Sequence, residues 1–340
     1  MSATRYGAAG VDLARAASAK ERIAALVAQA RTANARGAIG GFGGMVRIPP
    51  GYASPVLVMS TDGVGTKVLV ARAAGRFDTV GEDLVNHSVN DILVHGARPL
   101  AFLDYVAGAE LPVETIAALV EGITRGCRAH QMDLAGGETA EMPGLYRPGE
   151  FDLAGTIVGV VEESRAIHGT AIRPGQALIG YESTGLHTNG YTLARRIIFE
   201  ERRLSLESPL GETGQSVADV LLAVHRSYYH ALAPVLDRVA GLAHITGGGI
   251  PGNLIRVLPE GAEAVVNPGA WERPPLFRFL AEAGKVTEAE MRDVFNLGIG
   301  LIAVADPGHL DAMAAAAGAA GIRTWTIGAI RAGTRGVRFG

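Results

Sequence analysis

Along this 340-residue chain apolar positions fall in two patterns that alternate: short continuous runs, and residues spaced three and four apart. Val56, Leu57, Val58 and Met59, with Pro55 upstream, predict a buried strand. Ile23, Leu26, Val27 and Ala30 predict a helix over 10–36. Val85, Val89, Ile92 and Leu93 form one stripe of a second helix over 80–95. A third helix is predicted over 112–130, with Pro112 in its first turn and Ile116, Leu119, Ile123 and Cys127 facing inward. Strands over 99–107, 132–135 and 151–161 complete a β-α-β-α-β-β order, which implies an α/β sheet domain. The turn at Pro174-Gly175 opens a second half. There the pattern predicts strands over 177–181, 301–305 and 324–330. It predicts helices over 191–200, 216–240, 274–283, 288–295 and 309–320. No short-period repeat is present.

The polar residues concentrate where these elements end. Ser60-Thr61-Asp62-Gly63-Val64-Gly65-Thr66-Lys67 follows the first strand. It fits an Asp-Gly turn with a solvated lysine. It also fits a loop whose backbone N–H groups cradle phosphate, with Asp62 on Mg²⁺ and Lys67 on phosphate oxygens. The spacing is not that of a Walker A loop. Gly37 to Gly44 holds five glycines in eight residues and reads as a linker or as a phosphate-covering flap; Ile39 and Phe42 favour the flap. On the second helix, Asp83, His87, Asn90 and Asp91 share a face without a cation, the pattern of a solvated face or of metal ligands. Gly136 to Gly144, with Glu138 and Glu141, reads as a second glycine-plus-carboxylate loop. Ser183 to Tyr191 precedes a helix, so it is either a capping cluster or an anion site at a helix start, with His187 a candidate acid or base. Thr246-Gly247-Gly248-Gly249 is a third phosphate-loop pattern ahead of Pro251.

Composition narrows the class. A net charge of −3 gives no electrostatic reason for nucleic acid or an anionic membrane. The single cysteine excludes an internal disulfide and fits a reducing, cytoplasmic compartment. Met1 to Gly10 has no signal-peptide pattern, and no apolar run reaches spanning length. Only three of the 31 basic residues are lysines, so Lys67 inside the octet reads as a chosen point charge. The length suggests two domains.

These motifs, in this order from about Tyr6 to Ile330, resemble those of the phosphoribosylformylglycinamidine cyclo-ligase (AIR synthetase) family. The matching residues are Gly40-Gly41-Phe42-Gly43-Gly44, the octet 60–67, Val89-Asn90-Asp91, Phe102-Leu103-Asp104-Tyr105, Gly136 to Gly144, His187 to Tyr191, His244 to Gly249, and Phe295 to Gly300. The octet is shared more loosely with thiamine-monophosphate kinase and other relatives. The resemblance implies an α/β (α+β) fold of two domains. Residues 1–50 would supply a helix and the flap, 51–165 an ATP-binding domain with a mixed sheet that pairs into a barrel-like core of a homodimer, and 170–340 a C-terminal α/β substrate domain. It implies ATP and Mg²⁺ as cofactors, a small-molecule substrate, and closure of formylglycinamidine ribonucleotide to aminoimidazole ribonucleotide with release of ADP and phosphate. On this reading Asp62, Asp91 and Glu138 hold Mg²⁺. Gly40, Gly41, Phe42, Gly43, Gly44, Thr61, Lys67, Asn90, Asp104, Gly136 and Gly137 contact the nucleotide. Thr188, Asn189, Thr246, Gly247, Gly248 and Gly249 hold the substrate, and His187 shuttles a proton. Ala24, Asn86-His87, Leu186 and Leu297 depart from the family pattern. A related ATP-dependent small-molecule kinase or amidine-forming enzyme, and a catalytically silent nucleotide-binding dimer, are the competing expectations.

Overall fold

The computed structural model describes the backbone of residues 13–340 and the side chains of residues 21–340; Tyr6 and the start of the predicted first helix lie outside that range. Its contacts divide the chain into two units. One runs to Val89 and resumes at Arg98–Val160; the other combines Asn90–Ala97 with Val161–Gly340.

In the first unit, helix α1 (Leu13–Gln29) is followed by a two-residue ladder of β1 (Ala35–Arg36) and β2 (Met45–Val46). The helix thus stops short of residue 36, ahead of the glycine-rich stretch that cannot sustain it. Then come β3 (Pro55–Gly63), α2 (Lys67–Ala74), α3 (Asp78–Leu93), β4 (Arg98–Gly108), α4 (Val113–Ala129), β5 (Asp133–Glu141) and β6 (Phe151–Glu162). The sheet order is β3-β6-β4-β5, with β4 parallel to β5 and antiparallel to β6. Phe102, Val106, Leu134, Leu153 and Ile157 of this sheet are buried, with Leu84, Val85, Leu119, Ile123 and Cys127 of the helices.

Three sequence expectations change here. The run 56–59 is a strand but not a buried one: β3 is an edge strand, and Val56, Leu57 and Met59 are exposed. Residues 136–141 are strand, not loop, because each pairs in parallel register with β4. The octet ends inside α2, a helix the apolar pattern did not reveal, and Lys67 is its first residue.

Helices α3 and α4 approach through glycine. A Cβ on Gly81 would overlap the carbonyl oxygen of Leu119, and one on Gly122 that of Asp78. Glycine at both crossing points lets the two backbones meet.

The second unit holds six strands in the order β12-β9-β11-β7-β10-β8: β7 (Ala177–Glu182), β8 (Val239–His244), β9 (Ala262–Val266), β10 (Ile299–Ala305), β11 (Thr324–Ala332) and β12 (Gly336–Phe339). All neighbours are antiparallel except β12 and β9. Along β10, Ile302 and Val304 enter one apolar cluster while Leu301, Ala303 and Ala305 enter another. The sheet is covered on both faces, so this strand reads in the sequence as an unbroken apolar run. Its helices are α5 (Tyr191–Arg195, continued in π geometry to Glu201), α6 (Val217–Leu221), α7 (Tyr229–Leu232), α8 (Gly249–Leu254), α9 (Pro275–Gly284), α10 (Glu288–Val294) and α11 (Leu310–Ala319).

The predicted helix over 216–240 is broken. Ser216 caps α6 by accepting from Asp219 N, but the chain leaves the helix after Leu221. Its main-chain groups find other partners: Tyr228 N donates to Asn90 Oδ1 at 2.9 Å, and the Arg226 carbonyl accepts from Asn90 Nδ2 at 2.8 Å. Side chains replacing the helical ladder satisfy the backbone without a helix. Strands β8, β9 and β12 were not predicted.

Candidate active site

In the first unit a cleft of about 1230 Å³ opens beneath the glycine-rich segment 38–44. Its floor is formed by β4 and β5, which present Leu103, Asp104 and the run Asp133 to Thr139; α1 contributes Val27, and Arg31 follows the end of that helix. Gly40, Gly41, Phe42, Gly43, Gly44, Asp104, Gly136, Gly137 and Glu138 all line it. A segment read as a flap, a strand residue and a second glycine run, dispersed over a hundred positions, thus converge on one cavity. The Phe42 ring is fully exposed.

Register explains how the floor is shaped. Asp104 stands opposite Gly137 in the parallel ladder, and a Cβ at 137 would overlap Asp104 Oδ1. Glycine there leaves room for a carboxylate flush against backbone. Burial pushes the Asp104 carboxyl up to about 7 from its ordinary 3.8, against the opposing pull of its own backbone N–H. The folded chain therefore keeps a proton that the unfolded chain has released, and the contribution to stability is complete below about pH 4 and declines as pH rises through 7. A gap of three pKa units bounds the effect at about 4 kcal/mol. The urea midpoint of the wild type should fall from pH 5 to pH 8 relative to Asp104→Asn; parallel profiles would exclude a protonated Asp104.

The cleft suits a divalent cation with a polyphosphate. Among its acids, Glu138 and Glu141 are hard oxygen donors, while both oxygens of Asp133 accept from Thr32 and burial favours the protonated form of Asp104. Gly40 and Gly43 have open space where a side chain would stand, so their backbone is accessible to a ligand.

The other residues expected around the nucleotide lie elsewhere. Thr61 is tied into the sheet: its hydroxyl donates to the Gly155 carbonyl at 3.0 Å and accepts from Thr156 Oγ1 at 3.1 Å. Asp62 is half-exposed, with Oδ2 2.8 Å from His87 Nε2 and Oδ1 accepting from Gly63 N. Lys67 is wholly buried, with its ammonium 2.7 Å from Asp83 Oδ2. Its position is interior, because α2 turns it inward from the octet. The face of α3 expected to lack a cation therefore has one at Asp83. Burial lowers the Lys67 pKa, and Asp83 partly offsets this.

Asn90 and Asp91 belong to the second unit. Besides its bonds to 226 and 228, Asn90 has Nδ2 3.2 Å from His225 Nε2. Asp91 Oδ1 lies 2.8 Å from His244 Nδ1. Among the residues expected to hold substrate, Thr188 Oγ1 is 3.3 Å from His225 Nδ1, and Asn189 Nδ2 is 3.4 Å from Thr188 Oγ1. A Cβ on Gly247 would sit 3.4 Å from Asn189 Oδ1, so the loops 187–191 and 246–249 are adjacent. Asn253 braces the glycine loop: its Nδ2 donates to the carbonyls of Gly249 and Gly247, and its Oδ1 accepts from Thr246 Oγ1. Gly248 caps the start of α8 in the left-handed region.

His187 is buried, with φ +62°, a conformation uncommon for a residue with a side chain. Its Nε2 accepts from Thr184 N at 3.2 Å, and its ring stacks on His225 at 4.0 Å between centroids. Gly300 makes the room: a Cβ there would collide with His187 Cε1 and Tyr228 Oη. Sequence reasoning missed His225 altogether, since it stands in the stretch read as continuous helix.

Both halves of the chain match known family models. Residues 43–161 match the AIR synthase related protein N-terminal domain, and residues 173–339 match its C-terminal domain. The chain is 47% identical over 329 residues to the phosphoribosylformylglycinamidine cyclo-ligase of Sorangium cellulosum, covering 96% of this chain and 94% of that one. It is 46% identical over 333 residues to the Myxococcus xanthus protein of the same name, covering 97% and 96%. The fold is also that of thiamine-monophosphate kinase from Stenotrophomonas maltophilia (TM-score 0.70, 20% identity, 94% of each chain) and of the hydrogenase maturation protein HypE in complex with ATP (TM-score 0.66, 17% identity, 94% and 90%). With nearly half its residues shared over nearly its whole length, the chain belongs to the phosphoribosylformylglycinamidine cyclo-ligase family.

Proposed function

We propose that the chain catalyses the ATP-dependent closure of formylglycinamidine ribonucleotide to aminoimidazole ribonucleotide in purine biosynthesis. The observation that carries this reading is the convergence of 40–44, Asp104 and Gly136 to Glu138 on one cleft, in a chain of this family. A carbonyl oxygen leaves poorly until it is phosphorylated. Transfer of the γ-phosphoryl to the formamide oxygen breaks the bond to ADP. The neighbouring nitrogen then attacks the formamide carbon, and phosphate departs with that oxygen.

Phosphoryl transfer needs positioning and charge neutralisation. Glu138, Asp62 and Asp91 are the proposed carboxylate ligands of Mg²⁺, which when bound would neutralise charge on the phosphates. Backbone N–H groups of 40–44, 136 and 137 would hold the triphosphate, and Phe42 would exclude water by closing on it. Thr61, Lys67 and Asn90 act one layer back, holding the sheet, α2 and the 225–228 segment. Thr188, Asn189, Thr246 and Gly247 to Gly249 would bind the substrate's phosphate and amide groups, with His187 moving a proton. Residues 1–50 serve as helix and flap, 51–165 as the nucleotide domain and 170–340 as the substrate domain. We further infer a cytoplasmic homodimer. The exposed apolar edge of β3 supports its assembly, and the unpaired, buried Cys127 fits a reducing compartment. Among the described residues no helix is long and apolar enough to cross a membrane.

The test is a single-tube assay for ADP and imidazole with formylglycinamidine ribonucleotide, with and without Mg²⁺. Stoichiometric products are expected. Glu138→Gln should lower turnover by roughly 10–100-fold or more, the range that loss of even an outer partner of a metal ligand costs, without loss of folding. ADP without imidazole would replace this reading with that of a kinase using another acceptor.

A further inference from the structure

We propose that His225 is a positioning residue that ties the Asp91–His244 pair to Thr188 and so fixes the loop 187–191. The inference rests on the reading of that loop as substrate-binding. His225 is fully buried in the non-helical segment after α6, where a polar ring costs stability unless its nitrogens are satisfied. Both are engaged. Asp91 Oδ1 accepts from His244 Nδ1–H at 2.8 Å. His225 Nε2 lies 3.2 Å from His244 Nε2, and His225 Nδ1 lies 3.3 Å from the Thr188 hydroxyl. Asn189 Nδ2 donates in turn to Thr188 Oγ1 at 3.4 Å. A continuous chain of side-chain bonds thus runs from a carboxylate on α3 to the two residues expected to grip substrate.

The ring is also clamped on its faces and edge. It stacks on His187 with planes 24° apart and centroids 4.0 Å apart. Asn90 Nδ2, whose short bond goes to the Arg226 carbonyl, packs against the Nε2 edge at 3.2 Å.

The test compares His225→Leu with His225→Gln, whose amide reproduces one donor and one acceptor. In wild type and both variants, hydrogen–deuterium exchange is followed on the peptide covering 184–191. Exchange should quicken about tenfold in His225→Leu, the effect of a lost hydrogen bond, and stay near wild type in His225→Gln, with the rest of the chain unchanged. In turnover, KM for formylglycinamidine ribonucleotide should rise to a similar extent in His225→Leu while KM for ATP holds. Unchanged loop exchange in His225→Leu, or equal quickening across the whole second unit, would overturn the positioning role. A wild type that forms no imidazole would instead overturn the assigned reaction, and the exchange result would stand apart from it.

Discussion

Lys67→Met should lower the unfolding free energy by about 3–5 kcal/mol, measured by urea denaturation, because it leaves the Asp83 carboxylate buried without its counter-ion. Both side chains have no solvent exposure. The methionine fills nearly the same space, so the loss comes from the unpaired charge and not from a cavity. Changing both members, Lys67→Met with Asp83→Leu, should recover most of the stability, since a well-packed apolar pair often replaces a buried ion pair at little cost. The same variants separate structure from chemistry. If Lys67 acts only by holding α2 against α3, the double variant regains ATP affinity together with stability. Stability regained without ATP affinity would return Lys67 to the phosphates. Stability that never fell in the single variant would end the ion-pair account.

Gly122→Ala should be comparably damaging, about 3 kcal/mol or more. A Cβ there meets the Asp78 carbonyl oxygen, which is backbone and has no rotamer to turn aside. The helices α3 and α4 must separate, and α3 carries Val85 and Leu84 into the core of the first unit. Gly318→Ala is the matched control. It lies on the exposed face of α11 with nothing within 4 Å of the added methyl, and should gain roughly 0.5–1 kcal/mol from helix propensity and a less flexible unfolded chain. Thermal unfolding of the pair reads both; a Gly122→Ala melt matching wild type would mean that the helices slide apart freely.

Much of the cleft was legible because its residues announce themselves. Glycines beside carboxylates at the ends of apolar runs mark Gly40 to Gly44, Asp104 and Gly136 to Glu138, and these residues meet. Lys67 was read as reaching phosphate oxygens because a lone lysine after Asp-Gly looks available to a ligand; nothing local shows that Asp83, sixteen positions later, turns back to face it. β3 was misread for the opposite reason. Val56, Leu57 and Met59 are apolar enough for a core, and only sheet order reveals that they stand at an edge. The helix over 216–240 failed on a tertiary cause: Asn90 supplies the bonds that the helix would have made. With that stretch misassigned, His225 had no reason to be singled out.

The division of the chain has a practical and biosynthetic consequence. Neither unit is a contiguous piece of sequence, because Asn90–Ala97 belongs to the unit completed by Val161–Gly340. A gene fragment encoding 161–340 would lack Leu93 from one apolar cluster and Asn90 and Asp91 from the polar chain around His225. On the ribosome, residues 90–97 emerge well before the partners they pack against. Every residue of the first unit has emerged by Val160, whereas residues 90–97 must wait for 161–340 before their own unit can be completed, unlike contiguous domains that fold one after the other during synthesis. Split-gene expression and circular permutation should succeed only at cuts that keep 90–97 joined to both flanks.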